Sequence, residues 1–227
     1  MRCLFLYIIC ERETEIRVVK TIISPHLREV YMQKEIEIIV KPIGLQGHIS
    51  WDRVRGDLLR RKSACERKNE CAYFSSMIDF YALPADFPGN DVSPTRDHMS
   101  IVSSIESALS QAVGDPHFIP YIQLHELEAL VFCDVDFLAD YYFLSRRAKN
   151  ELAKIMDDFH NQPEMINRGP STSPSKRLKQ VFGNDSKHYD KIQAGSLIPM
   201  NIGIARMMEM CPHFSGWITS LENLEVR

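Results

Sequence analysis

Near the start of the chain, Cys3–Cys10 (CLFLYIIC) is a continuous apolar run of β-favouring residues with no charge in it. A strand covered on one face alternates apolar and polar residues, whereas an unbroken run calls for cover on both faces. Helices on the two faces of a parallel sheet supply that cover. The run stops at Glu11. Ile16, Val19, Ile22, Ile23, Leu27 and Val30 then recur at helical spacing. Glu13 and Glu15 fall in the first turn, where the helix dipole favours acids. The opening of the chain therefore reads as strand, acid, helix.

The pattern repeats. Ile36–Val40 is a second apolar strand, Gly44 and Gly47 mark a loop, and Ser50 is a candidate N-cap for a helix starting near Trp51. Trp51, Val54, Leu58 and Leu59 form its apolar stripe, and Arg53, Arg55, Arg60, Arg61 and Lys62 its remainder. Such a basic face is usually only solvated, and otherwise contacts phosphates. Cys71–Asp79 is the third strand, and it ends on a carboxylate. Alone, Asp79 would more often start a turn or cap a helix than do chemistry. Pro84, Pro88, Gly89 and Pro94 punctuate the next loop, where Asp86 reads as a turn acid. A helix is expected from about Pro94 to Val113, capped by Ser93, with Met99, Val102, Ile105, Leu109 and Val113 buried.

Phe118–Gln123 reads as a fourth strand, followed at once by Leu124-His125-Glu126-Leu127-Glu128. Ala129 stands where the zinc-protease motif H-E-x-x-H needs its second histidine, so that motif is rejected and His125 is given a structural role. From Asp134 the signals are mainly helical. Ser173 and Pro174 suit an N-cap and a first helical position, with Lys176, Arg177 and Lys179 following. That start is an anion seat or an ordinary capped helix, and both readings stay open. The expected division is an α/β core over 1–133 and a helical region over 134–227 packed on it.

A length of 227 residues with 44% hydrophobic content suits one large domain or a domain with an appended lobe. The net charge of −3 recruits no nucleic acid by itself, so any such binding must use local patches. Six cysteines with no C-x-x-C pairing read as reduced thiols. The first apolar run is too short to cross a membrane and no signal-peptide cleavage pattern follows it, so a cytoplasmic, soluble protein is expected. No Walker A loop and no G-x-G-x-x-G fingerprint is present.

Three strand ends thus present acids: Glu11, Asp79, and Glu126 with Glu128. If the strands are neighbours, the carboxylates meet at one sheet edge, where they raise one another's pKa values or hold a cation. Oxygen-only donors favour Mg²⁺ or Mn²⁺ over zinc. Such an ion beside basic patches suits phosphodiester chemistry.

ICERETE (9–15), MIDFYALPADFPG (77–89), FIPYIQLHELEALVF (118–132), PSTSPSKRL (170–178) and CPHFSGWITSLENL (211–224) stand in one order along the chain. With these strings the chain resembles the RloG-like family, Toprim-like bacterial proteins long labelled as a domain of unknown function. The resemblance implies a Toprim core, a small and mostly parallel sheet flanked by helices, with a helical C-terminal extension. It implies a metal at the strand ends, with Glu11 and Asp79 as ligands and Glu128 as third ligand or general base. Glu126 is the alternate for that place. Lys176 and Arg177 would grip phosphate. Relatives of the fold include topoisomerases, primases and nucleases, and family members are often encoded beside AAA or ABC-type ATPases in restriction and phage-defence loci. The reading implied is a Mg²⁺-dependent nuclease cleaving DNA or structured RNA with an ATPase partner, and self-association is left open. Arg12 stands where the family usually has glycine, Phe80-Tyr81 leaves the usual D-x-D incomplete, and Asn167-Arg168 replaces a usual Asn-Asp. Arg12 could hold a phosphate instead. These departures support the alternative, a degenerate module that binds nucleic acid or docks on the ATPase. A phosphohydrolase of small phosphate esters is the third class.

Overall fold

A computed structural model describes residues 2–45, 49–90, 97–167, 169 and 172–226. Among these residues five strands form: β1 (Arg2–Cys10), β2 (Ile36–Gly44), β3 (Cys71–Asp79), β4 (Phe118–Ile119) and β5 (Ile122–Gln123). Their order is β2-β1-β3-β4, with β5 also on β3, and every pairing is parallel. The fold is α/β, a parallel sheet flanked by helices with a helical C-terminal region. β1 lies between two neighbours, and Leu4, Leu6, Ile8 and Ile9 are fully buried, which accounts for the unbroken apolar run.

β2 continues past Val40 through Pro42 to Gly44, where a loop was expected, while Gly47 lies outside the described residues. Leu45 N–H donates to the Cys10 carbonyl at 3.1 Å, which sets the parity of the β1–β2 ladder. Odd-numbered residues of β2 turn their backbone groups toward β1, and Pro42 turns away, so its missing N–H leaves no gap. α1 (Glu13–Val18) packs close to Gly44: a Cβ there would sit 2.7 Å from Ile16 Cδ1, the end of a side chain that would have to turn aside.

The first helical run continues from α1 through a π-helical turn, Val19–Ile23, into α2 (Ser24–Met32). The widened turn lies directly ahead of Pro25, whose ring cannot donate to the preceding turn, so the chain passes the proline without breaking. α3 (Trp51–Arg67) starts after Ser50, which makes no side-chain cap. Instead Asp86 Oδ2 accepts the Trp51 N–H at 2.9 Å, so the turn acid caps a distant helix. α4 (His98–Val113) is capped by Asp97, whose carboxylate accepts from Ser100 N–H. The expected cap at Ser93-Pro94 lies outside the described residues.

The fourth strand is two short pieces rather than one. Pro120 has no N–H to give, and Ser76 takes the ladder's place by exchanging hydrogen bonds with Tyr121 N and O at 3.0 and 3.1 Å.

By internal contacts the chain divides into residues 1–123 with 217–227, and 124–216. The expected division at 133 differs at both ends, for two reasons. The run Leu127–Asp134 forms a buried 3₁₀ helix, and its Val131 and Phe132 belong to the second unit's core with Leu152, Val181 and Phe182. The chain's end returns to the first unit: Trp217 stacks on Tyr121 at 4.2 Å and donates to Ser75 Oγ, and Tyr31 hydroxyl bonds the Leu221 carbonyl. The second unit holds α5 (Val135–Tyr141), α6 (Arg146–Asp158), α7 (Pro174–Asn184), α8 (Lys191–Ile202), α9 (Ile204–Met210) and the start of α10 (Pro212–Glu222). Among the described residues no helix is long and apolar enough to cross a membrane. The cysteines are free thiols, with Cys133 and Cys211 sulfurs 3.4 Å apart in the second unit.

Candidate functional site

The parallel register places Cys10 beside Met77, so Glu11 and Asp79 leave adjacent strands at the same carboxyl edge. This is the edge at which open α/β sheets hold ligands. Asp79 is 3% exposed and stands opposite Gln123, which accepts from the Tyr121 hydroxyl at 2.8 Å. The Glu11 side chain is 8% exposed; Oε1 takes Arg12 Nε at 2.7 Å, and Oε2 is buried with no hydrogen-bond partner. Arg12 itself is about half exposed. For its guanidinium, partial burial works against the charge, but the Glu11 and Asp79 carboxylates outweigh it and hold the pKa above the ordinary arginine value. One arginine thus lies within the field of both acids.

Arg12 needs no glycine-like freedom at this turn, because its backbone is extended, at φ −133° and ψ 175°, a conformation any residue adopts. Glu15 secures this turn. It is buried, and its Oε2 accepts the Arg12 N–H at 2.8 Å. The sequence pattern placed Glu15 only among first-turn acids; in the fold it caps the turn and leaves Glu11 for other duties.

The acids after β5 lie in the second unit. Glu126 Oε2 accepts the Ser175 N–H at 2.9 Å, in the first turn of α7. The helix start at Ser173–Pro174, which the sequence left open between an anion seat and an ordinary capped helix, therefore receives one of the chain's own carboxylates. Ser173 occupies the cap position without a side-chain cap bond. Arg177 Nε donates to the Thr172 carbonyl at 2.9 Å and its guanidinium lies over the Phe159 ring at 5.0 Å, while Lys176 is exposed. Glu128 is fully buried with Lys191 Nζ 2.9 Å away. Burial pushes its carboxyl up, Lys191 opposes that, and Glu126 adds to it. Burial and the Glu128 charge likewise hold the Tyr189 phenol well above its usual value. His125 is buried with a left-handed backbone, φ +65°. Glu164, which sequence reasoning passed over, is buried and accepts the His213 and Phe214 N–H groups at the start of α10.

The structure thus brings together Glu11, Arg12 and Asp79 in the first unit, and Glu126, Glu128 and Lys191 in the second. Among the described residues, no group of three or more His, Cys, Asp or Glu side chains is arranged to hold a metal ion. Two carboxylates with one buried, unpartnered oxygen still fit Mg²⁺ or Mn²⁺, because Mg²⁺ commonly takes one or two carboxylates and completes its shell with water and substrate phosphate. The Arg-rich face of α3 is exposed at Arg53, Arg55, Arg60 and Arg61, with Arg60 paired to Asp57. Lys62 instead pairs with the buried Asp115 at 2.8 Å.

A family model described as a domain of unknown function (DUF4276) matches residues 10–222. The match spans most of the chain, which belongs to that family. No curated protein and no solved structure matches it.

Proposed function

We propose that this DUF4276 protein is a metal-dependent nuclease of the Toprim type, with its reaction centre at Glu11 and Asp79. The observation that carries this reading is the pairing of those acids on adjacent parallel strand ends, with Glu11 Oε2 buried and without a hydrogen-bond donor. A buried carboxylate oxygen without a donor costs stability, so a ligand cation would relieve that cost. Glu11 and Asp79 would hold Mg²⁺ or Mn²⁺, which when bound supplies Lewis acidity and a water of lowered pKa. Arg12 positions the substrate. Its half-exposed guanidinium can leave Glu11 and grip a non-bridging phosphate oxygen through paired N–H groups. The exposed arginines of α3 give the polynucleotide a local basic surface that the net charge of the chain does not. Action with an ATPase in anti-phage defence rests on the resemblance alone.

The test is cleavage of single-stranded DNA, duplex DNA and structured RNA with Mg²⁺ or Mn²⁺. Product formation should vanish in Asp79→Asn and Glu11→Gln. Undiminished cleavage by Asp79→Asn removes the site, and hydrolysis of nucleotides but not of polynucleotides would reassign the substrate to small phosphate esters.

One observation favours the second reading, a non-catalytic module. The Arg12–Glu11 ion pair occupies one ligand with an internal cation. Calorimetric titration with Mn²⁺ separates the two, since the module predicts no divalent binding that depends on Glu11 and Asp79.

A further inference from the structure

Among the described residues β2 pairs only with β1, so its far side is the end of the sheet. The ladder parity set at Leu45 leaves Ile36, Ile38 and Val40 turning both backbone groups outward, and Pro42 only its carbonyl. Such an edge is a template for another strand. Beside it runs a groove of about 460 Å³ lined by Arg28, Met32, Glu35 and Ile36–Ile39. Met32 is 70% exposed there, unusual for a large apolar side chain.

The strand also says what would cover it. Glu37 and Lys41 are exposed and flank Ile39 symmetrically. Lys41 lies over the rings of Phe5 and Tyr7, at 4.7 and 5.4 Å, which places it on the α3 side of the sheet with Glu37. Set a second β2 antiparallel to the first about Ile39. Glu37 of each copy then faces Lys41 of the other, and the two Ile39 side chains meet. These are non-hydrogen-bonded pairs, in which facing side chains come closest. Ile38 then lies opposite Val40 in both directions, so the outward backbone groups of each pair exchange both hydrogen bonds. Pro42 falls opposite Ile36, where its carbonyl accepts the Ile36 N–H and the Ile36 carbonyl, at the end of the ladder, is left to solvent. Any other register that keeps outward groups opposed separates Glu37 from Lys41, and parallel in-register pairing sets like charges side by side. The arrangement is isologous and closes at two copies.

We infer that the outer edge of β2 is a self-association surface, occupied by β2 of a second copy running antiparallel about Ile39. The inference is independent of the reaction proposed at Glu11 and Asp79. Sedimentation equilibrium of the full chain, from about 1 to 100 µM, should give twice the 26.2 kDa monomer mass at the upper concentrations. Glu37→Lys and Lys41→Glu each place like charges opposite one another, and each should raise the dimer dissociation constant at least about tenfold. Mixed in equal amounts, the two variants should re-form a dimer, because each supplies the charge the other lacks. The double variant should dimerise like the wild type. Both side chains are exposed, so circular dichroism should be unchanged. A wild type that stays monomeric throughout overturns the inference, including the case in which another protein's strand occupies the edge. So do single variants that dimerise unimpaired, or a mixture that stays monomeric.

Discussion

The two acid groups that follow strands are both pairs of carboxylates, Glu11 with Asp79 and Glu126 with Glu128, and their fates differ. In the first unit Glu11 pairs with a half-exposed arginine and keeps one oxygen without a donor. In the second unit Glu126 serves a helix N-terminus and Glu128 is buried against Lys191. Glu164, in the same unit, is likewise taken up by two backbone N–H groups. The difference teaches that an acid at a strand end is available for chemistry only when something else meets the structural needs around it. Glu15 does this for Glu11, since it caps the turn that Glu11 would otherwise have to serve.

The largest test of that contrast is activity. Asp79→Asn should lower cleavage at least about a hundredfold, the scale of the charge stabilisation a catalytic metal provides. Glu126→Gln should leave the rate within about threefold once protein folding is matched. Equal losses in the two variants would erase the distinction.

Stability should show the reverse pattern. Lys191→Met leaves the fully buried Glu128 carboxylate without its cation and should cost about 3 kcal/mol, read from the urea midpoint. Adding Glu128→Gln should recover most of that loss. A single variant as stable as the wild type would mean that Glu128 is neutral in the folded chain.

Glu126→Ala should cost about 1 kcal/mol, the usual scale for losing an N-terminal cap. Melting of the wild type and variant at equal concentration measures it, and a larger loss would show that Glu126 supports more than α7.

The Glu128 carboxyl also sets a pH dependence. Its folded pKa lies above the usual 4.5, so the folded state holds the proton more tightly than the unfolded chain. Stability from this group is therefore greatest below 4.5 and declines as pH rises toward the elevated folded value. The gain in stability of Glu128→Gln over wild type should grow across that window, measured by urea unfolding at successive pH values. A constant difference would place the carboxyl at its ordinary value.

The smallest effect is expected at Arg12. Arg12→Ala frees Glu11, and because the pair is partly exposed its removal should tighten Mn²⁺ binding by no more than about fivefold. Weaker binding would make Arg12 a supporter of the metal rather than its competitor.

Much of the fold was legible because its signals are local. The apolar runs of β1 and β3 named their own strands, and the helical stripe from Ile16 onward survived Pro25. Strand parity was not legible: the second strand was expected only as far as Val40, with a loop by Gly44, and nothing local reveals that the missing N–H of Pro42 points away from β1. The Phe118–Gln123 run did not disclose that Ser76 would replace part of its ladder. At the candidate site, Glu11 and Asp79 were found from their places after strands. Lys191 and Glu164 were not found, since an ordinary lysine and glutamate in helical or loop sequence carry no local mark of burial.

The order of residues alone determined the alternation of strand and helix and the acids closing β1 and β3; that these strands are neighbours, so that both carboxylates share one sheet edge, was decided by the tertiary structure. Periodicity and turn chemistry act over a few residues, and a string of residues records them fully. Only tertiary structure decided which carboxylates are already engaged: Glu126 by the N-terminus of α7, Glu128 by Lys191, Glu11 in part by Arg12. For the first two, burial and electrostatic pairing depend on what folding brings alongside from distant parts of the chain.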